Sequence, residues 1–155
     1  MMETDFMREA IELARENIKK GGGPFAAIIV KDGKEIARTG NTVTLSNDPT
    51  AHAEVNAIRE ACRKLGTFNL SGCEIYSSCE PCPMCLSAIY WAGISKIYMS
   101  ASRFDAAEAG FDDQFLYDEI VKPCPERQIP VKVLVPGEGK APFADWNAYS
   151  GKIPY

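Results

Sequence analysis

The sequence contains 1 histidine, no apolar run as long as about eighteen residues, and no excess of positive charge. Without such an apolar run, we expect no membrane-spanning helix. The 21 Asp and Glu outnumber the 17 Lys and Arg, which gives a net charge of −4. Because nucleic-acid binding depends on clustered basic residues, we do not expect it here. The first residues, 1–5, carry acid where a secretory signal carries base, so we expect a cytoplasmic protein.

What the sequence does contain is 6 cysteines. Disulfides are rare in a reducing cytoplasm, so metal binding or catalysis is the better interpretation of clustered cysteines. Three of them, Cys79, Cys82 and Cys85, lie in one short segment. The others are scattered, and we interpret them as small buried apolar residues or unreactive thiols: Cys62, Cys73 and Cys124.

The spacing of apolar residues predicts helices that alternate with short strands. The first two strands are joined by a turn at 31–34 and form a hairpin, whereas helices separate the later strands. A length of 155 residues suits a single domain, 1–155, of the α/β class with a mixed sheet. The predicted helices are 5–20, 51–65, 83–92 and 142–149, and the predicted strands are 25–30, 35–39, 74–77, 96–100 and 131–135.

The residues suited to chemistry follow the pattern H-x-E … P-C-x-x-C. His52 is followed by Glu54, and Cys82 and Cys85 come later, at the predicted start of a helix. A helix start favours thiolates over thiols. One imidazole and two thiolates give a zinc ion three protein ligands, which leaves one tetrahedral position for water. This is the arrangement of a catalytic zinc site, and the whole pattern is typical of zinc deaminases.

Glu54 is the candidate catalytic residue. A zinc ion lowers the pKa of a bound water, so that hydroxide forms near neutral pH. A carboxylate beside the metal can take the water's proton, pass it to a ring nitrogen and later deliver one to the departing ammonia. The residues therefore predict hydrolytic deamination, with Zn²⁺ held by His52, Cys82 and Cys85 and with Glu54 as the proton shuttle.

Other interpretations of the same residues stay open. A C-x-x-C pair can be a redox motif. The spacing C-x-x-C-x-x-C resembles an iron–sulfur segment, although residues 86–89 lack the fourth cysteine that such a segment needs. Cys79 could be a fourth zinc ligand, which would close the site and leave a structural zinc-binding module without catalysis.

Two segments, 50–54 and 78–85, resemble the cytidine/deoxycytidylate deaminase superfamily, which includes cytosine, tRNA adenosine and guanine deaminases. The resemblance implies a three-layer α/β/α sandwich with a central five-stranded mixed sheet. It also places both metal-bearing helix starts on one side of the fold.

A closer resemblance, to the small bacterial guanine deaminases, extends over almost the whole chain. It is carried by 22–25, 46–50, 88–92 and above all 105–113. It implies conversion of guanine, a small purine base, to xanthine and ammonia in purine catabolism. It also implies a homodimer in which a C-terminal segment is exchanged between subunits and covers the neighbour's pocket.

By position, this resemblance assigns base binding to Asn41, the backbone of Ala53, Asp113 and Tyr155. The Asn41 amide can pair with a purine edge as donor and acceptor. The Asp113 carboxylate can accept hydrogen bonds from the N1–H and the amino group of guanine. The neighbouring Asp112 is equally acidic, so the choice between the two rests on the resemblance.

Two aromatic residues, Phe25 and Trp91, are candidates for the wall of the pocket or for stacking on the base; core packing is the alternative for both. The same chemistry on tRNA adenosine, cytosine or a nucleoside is the alternative function. A tRNA substrate calls for a basic surface, however, and residues 141–155 contain one basic side chain, that of Lys152.

Overall fold

A four-stranded sheet organises the first of two units into which the chain divides, Met1–Asp113 and Gln114–Tyr155. The computed structural model describes residues 1–155. No helix has both the length and the apolar character needed to cross a membrane. The strands of the first unit are β1 (Ala26–Lys31), β2 (Lys34–Gly40), β3 (Cys73–Cys79) and β4 (Lys96–Ala101), and its helices are α1 (Glu3–Lys19), α2 (Val43–Ser46), α3 (Ala53–Leu65), α4 (Pro83–Ala92) and α5 (Arg103–Glu108).

The sheet is mixed, as predicted, with the order β2-β1-β3-β4. Strand β1 is antiparallel to both β2 and β3, whereas β3 and β4 are parallel and are connected through α4. Asp32 and Gly33 join β1 to β2 with φ angles of 50° and 73°, which is the backbone of a tight hairpin turn whose twist matches the strands. The predicted hairpin is therefore confirmed.

The prediction of a fifth strand is wrong, because the sheet has four. Residues 131–135 lie in the second unit and form neither helix nor strand. Their apolar and β-branched side chains favour an extended chain, but a strand also requires a neighbour whose backbone completes its hydrogen bonds. At the end of the run Val135 has a φ of 40°, a left-handed conformation that interrupts extended backbone.

Strand β1 separates two apolar clusters. Ala27 and Ile29 face a cluster that contains residues of α3, β3 and α4, including Ala57 and Ile89. The alternate side chains of β1 face a second cluster, formed with α1 and with Tyr76 of β3. Because successive side chains of a strand point to opposite faces, one fully buried strand supports helices on both sides of the sheet.

Helix α1 has an apolar stripe that fits this second cluster. Phe6, Ala10, Ala14 and Asn17 are buried, at the spacing of about 3.6 residues that keeps side chains on one face. The helix ends before Gly21, whose φ of 90° is a conformation that suits glycine. The one polar member of the buried face, Asn17, therefore lies next to the loop that follows the helix.

The starts of α3 and α4 are built alike. His52 is the N-cap of α3 and Cys82 is the N-cap of α4, both with extended backbone angles. Pro83 fits the first turn of α4, where its missing N–H and fixed φ are tolerated. Helix α4 then contacts α3 on the same side of the sheet. Two helix N-termini, each preceded by a potential metal ligand, are thus anchored in one layer.

The second unit has no apolar core of its own. It contains α6 (Gln114–Ile120), α7 (Ala141–Ala148) and two short 3₁₀ turns, Cys124–Glu126 and Glu138–Lys140. None of its residues is buried. Most of its large apolar side chains are exposed instead: Phe115, Ile120, Val121, Ile129, Val131, Val133, Leu134, Val135, Phe143, Trp146, Tyr149, Ile153 and Tyr155. A segment with this much exposed apolar surface is typical of one that packs against another surface.

Candidate metal centre

The three predicted metal ligands lie together. The Nδ1 atom of His52 is 3.6 Å from Sγ of Cys82 and 3.5 Å from Sγ of Cys85. The three ligand atoms all lie within 4.8 Å of one another. Cys82 and Cys85 are three residues apart at the start of α4, so both sulfurs lie on the helix face toward His52.

The spacing of these atoms fits zinc. A tetrahedral ion about 2.3 Å from sulfur and about 2.05 Å from nitrogen sets the nitrogen–sulfur separation at about 3.6 Å. The two observed separations, 3.6 Å and 3.5 Å, agree with that value. A set of two sulfurs and one imidazole nitrogen is also the donor set that zinc favours over hard cations such as Mg²⁺.

The charges at the site favour a cation. A hydrogen bond from the Cys85 thiol, together with the neighbouring His52, lowers the pKa of Cys82 to about 4. The pKa of Cys85 is raised, because its proton is held by Cys82 and because the side chain is buried. The hydrogen bond with Cys82 raises the pKa of His52. Without a metal, one of the two thiols therefore loses its proton readily, and the resulting negative charge opposes ionisation of the other thiol. A bound cation would stabilise both thiolates.

Glu54 is the second residue of α3 and is buried, with an exposed fraction of 6%. Ser77 of β3 donates a hydrogen bond to its Oε1 atom at 2.8 Å. A contact with Glu54 also contributes to the raised pKa of Cys85. The carboxylate is thus anchored from the sheet and lies beside Cys85, one of the predicted metal ligands.

Cys79 does not belong to the cluster. The ligand atoms that group within 4.8 Å are those of His52, Cys82 and Cys85. The Cys79 thiol donates instead to the carbonyl oxygen of Ser102 at 3.5 Å, and burial raises its pKa to about 11. The Cys79 thiol thus has a partner outside the cluster, and the geometry favours a site with three protein ligands and an open fourth position.

Two of the predicted base-binding residues are buried. Asn41 follows β2, and its Oδ1 atom accepts a hydrogen bond from the backbone N–H of Val43 at 3.1 Å. Ala53 is the first residue of α3, and its carbonyl oxygen accepts a hydrogen bond from Thr39 at 2.8 Å. The N–H at this first helical position has no acceptor within the helix.

Asp113 and Phe25 also lie in the first unit. Burial raises the pKa of Asp113, and the charges of Cys82 and Glu80 add to that effect, so this carboxyl lies within electrostatic range of the metal ligands. Phe25 is partly buried and packs edge-to-face against Phe111, with ring centroids 5.0 Å apart. Asp113 therefore lies near the metal ligand Cys82, whereas the ring contact of Phe25 is with Phe111.

The structure does not bring Trp91 to the cluster. It lies near the C-terminal end of α4, six residues beyond Cys85, and its exposed fraction is 74%. Tyr155 belongs to the second unit and is 88% exposed. Their predicted roles at the base stay predictions.

Several functional candidates were missed from the sequence. Ser77, which holds Glu54, is a polar residue on a strand that is otherwise apolar and buried. Asn17 interrupts the apolar stripe of α1, and Asn56 contacts the loop that carries Asn41. A polar side chain on a predicted buried face is the signal that could have identified Ser77 and Asn17, because buried polar groups need hydrogen-bond partners.

A mixed sheet with helices on both faces, and an imidazole and two thiols at two helix starts, are the features of zinc-dependent deaminases. Residues 2–101 match the family described as the cytidine and deoxycytidylate deaminase zinc-binding region, and the chain belongs to this family. Over its full length it is 53% identical to the guanine deaminase of Bacillus subtilis, and the two chains cover each other completely.

Solved structures agree with the sequence relationship. The X-ray structure of the Bacillus subtilis guanine deaminase superposes with a TM-score of 0.98 at 52% identity, covering 100% of this chain and 99% of that one. A protein solved in complex with 8-azaguanine has a TM-score of 0.68 at 37% identity, over 70% of this chain and 63% of its own.

The similarity to tRNA-modifying relatives is shorter. The tRNA-specific adenosine deaminase of Aquifex aeolicus is 47% identical over 62% of this chain and 64% of its own. Similarity to the Bacillus subtilis guanine deaminase, in contrast, includes the C-terminal unit.

Proposed function

We propose that the protein hydrolyses guanine to xanthine and ammonia. The observation that carries the substrate is the full-length similarity to a guanine deaminase, at 53% identity and with a TM-score of 0.98. The reaction type is supported by the three-ligand cluster with a carboxylate beside it. Such a reaction belongs to the cytoplasmic breakdown of purines.

The residues of the cluster have different proposed roles. His52, Cys82 and Cys85 would hold zinc, which supplies the Lewis acidity that lowers the pKa of a water at its open position. Glu54 would move protons at its carboxylate oxygens, taking one from the attacking water and delivering protons to the ring nitrogen and the leaving amino group. Ser77 holds the Glu54 carboxylate in one orientation through its hydrogen bond of 2.8 Å.

Base recognition would use groups of complementary hydrogen-bonding character. The Asp113 carboxylate accepts from the N1–H and 2-amino groups of guanine, a donor pair that adenine lacks. The Asn41 amide and the N–H of Ala53 face the remaining acceptors of the base. Phe25 provides an apolar contact for the ring, supported by its packing against Phe111.

The C-terminal unit, Gln114–Tyr155, completes the site in a homodimer. We propose that this unit is exchanged between two copies, so that Tyr155 covers the partner's pocket. Its exposed apolar side chains support the proposal, because in one copy of the unit none of its residues is buried. An exchange would bury that surface.

The function is tested by ammonia release from zinc-loaded protein given guanine, adenine, cytosine, cytidine and a tRNA anticodon stem-loop in separate reactions. We expect turnover of guanine at least about a hundredfold above the others in kcat/KM, because a site built to pair with the donor edge of guanine leaves polar groups unpaired with adenine. Preferential release of ammonia from the stem-loop would identify the tRNA alternative instead.

A further inference from the structure

Asn17 is a buried polar residue that the proposed chemistry does not use. Its exposed fraction is 6%. Its Nδ2 group donates hydrogen bonds to the carbonyl oxygen of Gly23 at 2.7 Å and to that of Asn41 at 2.8 Å. The backbone carbonyl oxygen of Asn17 accepts from the N–H of Gly22 at 3.0 Å. One side chain thus connects the end of α1 to the loop before β1 and to the loop after β2.

The glycines around this amide leave it little room to move. A Cβ atom on Gly22 would lie 2.4 Å from Nδ2 of Asn17 and 2.4 Å from the carbonyl oxygen of Asn41. A Cβ atom on Gly40 would lie 2.3 Å from Oδ1 of Asn17. Both approaches are much closer than van der Waals contact, so the backbone packs directly against the amide.

A second amide also holds this loop. The Nδ2 group of Asn56, on α3, lies 3.0 Å from the carbonyl oxygen of Gly40, 3.0 Å from the Thr42 hydroxyl and 3.3 Å from the carbonyl oxygen of Ala51. Ala51 precedes the metal ligand His52 in the chain. The position of the loop is therefore tied to the start of α3.

These contacts constrain the side chain of Asn41. Its backbone N–H donates to the carbonyl oxygen of Phe25 at 3.0 Å, and its backbone carbonyl accepts from Asn17 at 2.8 Å. Its Oδ1 atom accepts from the N–H of Val43 at 3.1 Å. With both backbone groups and Oδ1 held, the direction of the Nδ2 group is determined by the surrounding hydrogen bonds.

We propose that Asn17 is a positioning residue for base recognition, which acts by holding the peptide of Asn41 so that the Asn41 amide meets guanine in one orientation. The inference rests on the proposed function of Asn41. The Asn17 side chain donates to the backbone of Gly23 and Asn41 and makes no hydrogen bond with the zinc ligands or Glu54, so its loss weakens base binding and leaves the chemical step largely unchanged.

Two variants disturb this contact in different ways. Asn17→Asp keeps the shape but places an oxygen against two carbonyl oxygens, and Gly22→Ala places a methyl group between Nδ2 and the Asn41 oxygen. For each we expect KM for guanine and the inhibition constant of 8-azaguanine to rise at least about tenfold, with kcat changed less than about threefold. Asn69→Asp, the same change in an exposed loop, is the matched control and should alter neither.

Zinc content and thermal melting show whether each variant is folded, and the Asn41→Ala background shows whether Asn17 acts through Asn41. Asn41→Ala removes the side-chain amide that Asn17 is proposed to position, but it keeps the backbone carbonyl that Asn17 contacts. If Asn17 acts through that amide, Asn17→Asp should change KM less than about twofold in the Asn41→Ala background. A tenfold rise in KM that persists in the Asn41→Ala background overturns the proposal. Unchanged KM in Asn17→Asp and Gly22→Ala proteins that are folded also overturns it.

Two other outcomes concern the proposed function itself. If the wild-type protein is inert toward guanine, the proposed function is wrong. If the protein is active but Asn41→Ala does not change KM, the role of Asn41 is wrong, and this inference is wrong with it.

Discussion

Glu54 is a carboxylate placed in the interior, where an ionised group without partners would cost several kcal/mol. The hydroxyl of Ser77 lies 2.8 Å from its Oε1 and 2.6 Å from the carbonyl oxygen of Cys79. A hydroxyl has one proton, so it can donate fully to one of these oxygens at a time. The Glu54 carboxylate and the carbonyl oxygen of Cys79 therefore compete for the single proton of Ser77.

Replacing Glu54 by Gln tests the proton shuttle. The change keeps the volume and an oxygen for Ser77 but removes the base, so we expect kcat to fall by about a thousandfold or more while zinc stays bound. Steady-state ammonia release and metal analysis of the purified variant measure the two quantities. Turnover within about tenfold of wild type would contradict the assigned role.

The two kinds of thiol predict a pH-dependent labelling pattern in metal-free protein. The pKa of Cys82 is lowered to about 4, so its thiolate is present above that pH, whereas the pKa of Cys79 is raised to about 11 and its thiolate is absent until strongly alkaline pH. Because the thiolate is the nucleophile, we expect iodoacetamide at pH 6 to modify Cys82 and to spare Cys79.

Peptide mass spectrometry after brief alkylation identifies the modified cysteine. The zinc-loaded protein is the control, and Cys82 should be protected there because its sulfur is bound to the metal. Equal modification of Cys79 and Cys82 in metal-free protein at pH 6 would show that the difference in pKa is not as described.

The metal ligands could be predicted from the sequence because their residue types are rare and their spacing is chemically restrictive. A single histidine, with Glu54 two residues later and a C-x-x-C pair at a helix start, leaves few alternatives. The sequence can mark Ser77 as a polar residue on a buried strand, but its partner could not be predicted, because that depends on which side chain lies opposite. The same holds for Asn17, whose partners come from two distant loops.

At the scale of elements, turn and cap residues made the boundaries predictable. Helix α4 begins at Pro83 and ends before Gly93, whose φ is 71°, and the predicted range 83–92 is confirmed. The predicted strand 131–135 failed for a different reason. Its apolar pattern predicts burial against another surface, but the pattern does not identify that surface as the edge of this sheet.

Gly66 allows a test of the cost of a helix end. It follows α3 with a φ of 65°, and a Cβ atom there would meet nothing within 4 Å. The penalty for Gly66→Ala is therefore conformational, and we expect the free energy of unfolding to fall by about 1 kcal/mol. Gly137→Ala is the control, since its φ of −66° suits alanine and its surroundings are also open.

Urea denaturation followed by circular dichroism measures both variants. We expect Gly137→Ala to be neutral or slightly stabilising, because alanine restricts the unfolded chain more than glycine does. If both variants lost the same free energy, the left-handed backbone of Gly66 would not be the cause.

For the whole molecule, the central question is whether each active site is completed by a second chain. Mixing two inactive variants tests this directly. In an exchanged dimer of Glu54→Gln with a variant that lacks Tyr155, one site combines an intact Glu54 with an intact Tyr155 from the other chain. We therefore expect co-refolding of the two variants to recover up to about a quarter of wild-type turnover, in line with random pairing of exchanged subunits.

Each variant refolded alone is the control for this mixing experiment, and size-exclusion chromatography with light scattering reports the mass. A monomer at micromolar concentration with full activity would exclude the exchange. Dimers that recover no activity on mixing would indicate that each Tyr155 serves its own chain.

Metal removal should destabilise the first unit, because the ligands come from α3 and α4 and the ion connects both helices. A metal present at about a thousand times its dissociation constant contributes about 4 kcal/mol to folding. We expect a chelator to lower the melting temperature by roughly 10 °C. Zn²⁺ should restore it and Mg²⁺ should not, since sulfur ligands discriminate against hard cations.

The chain has a single imidazole, and its Nδ1 atom faces both sulfurs of the cluster. A nitrogen-15 spectrum of uniformly labelled protein would therefore contain one histidine ring, with no assignment problem. Coordination moves the resonance of one ring nitrogen while the other continues to report hydrogen bonding. The fraction of molecules that carry metal can thus be read from intact protein in solution, during turnover as well as at rest.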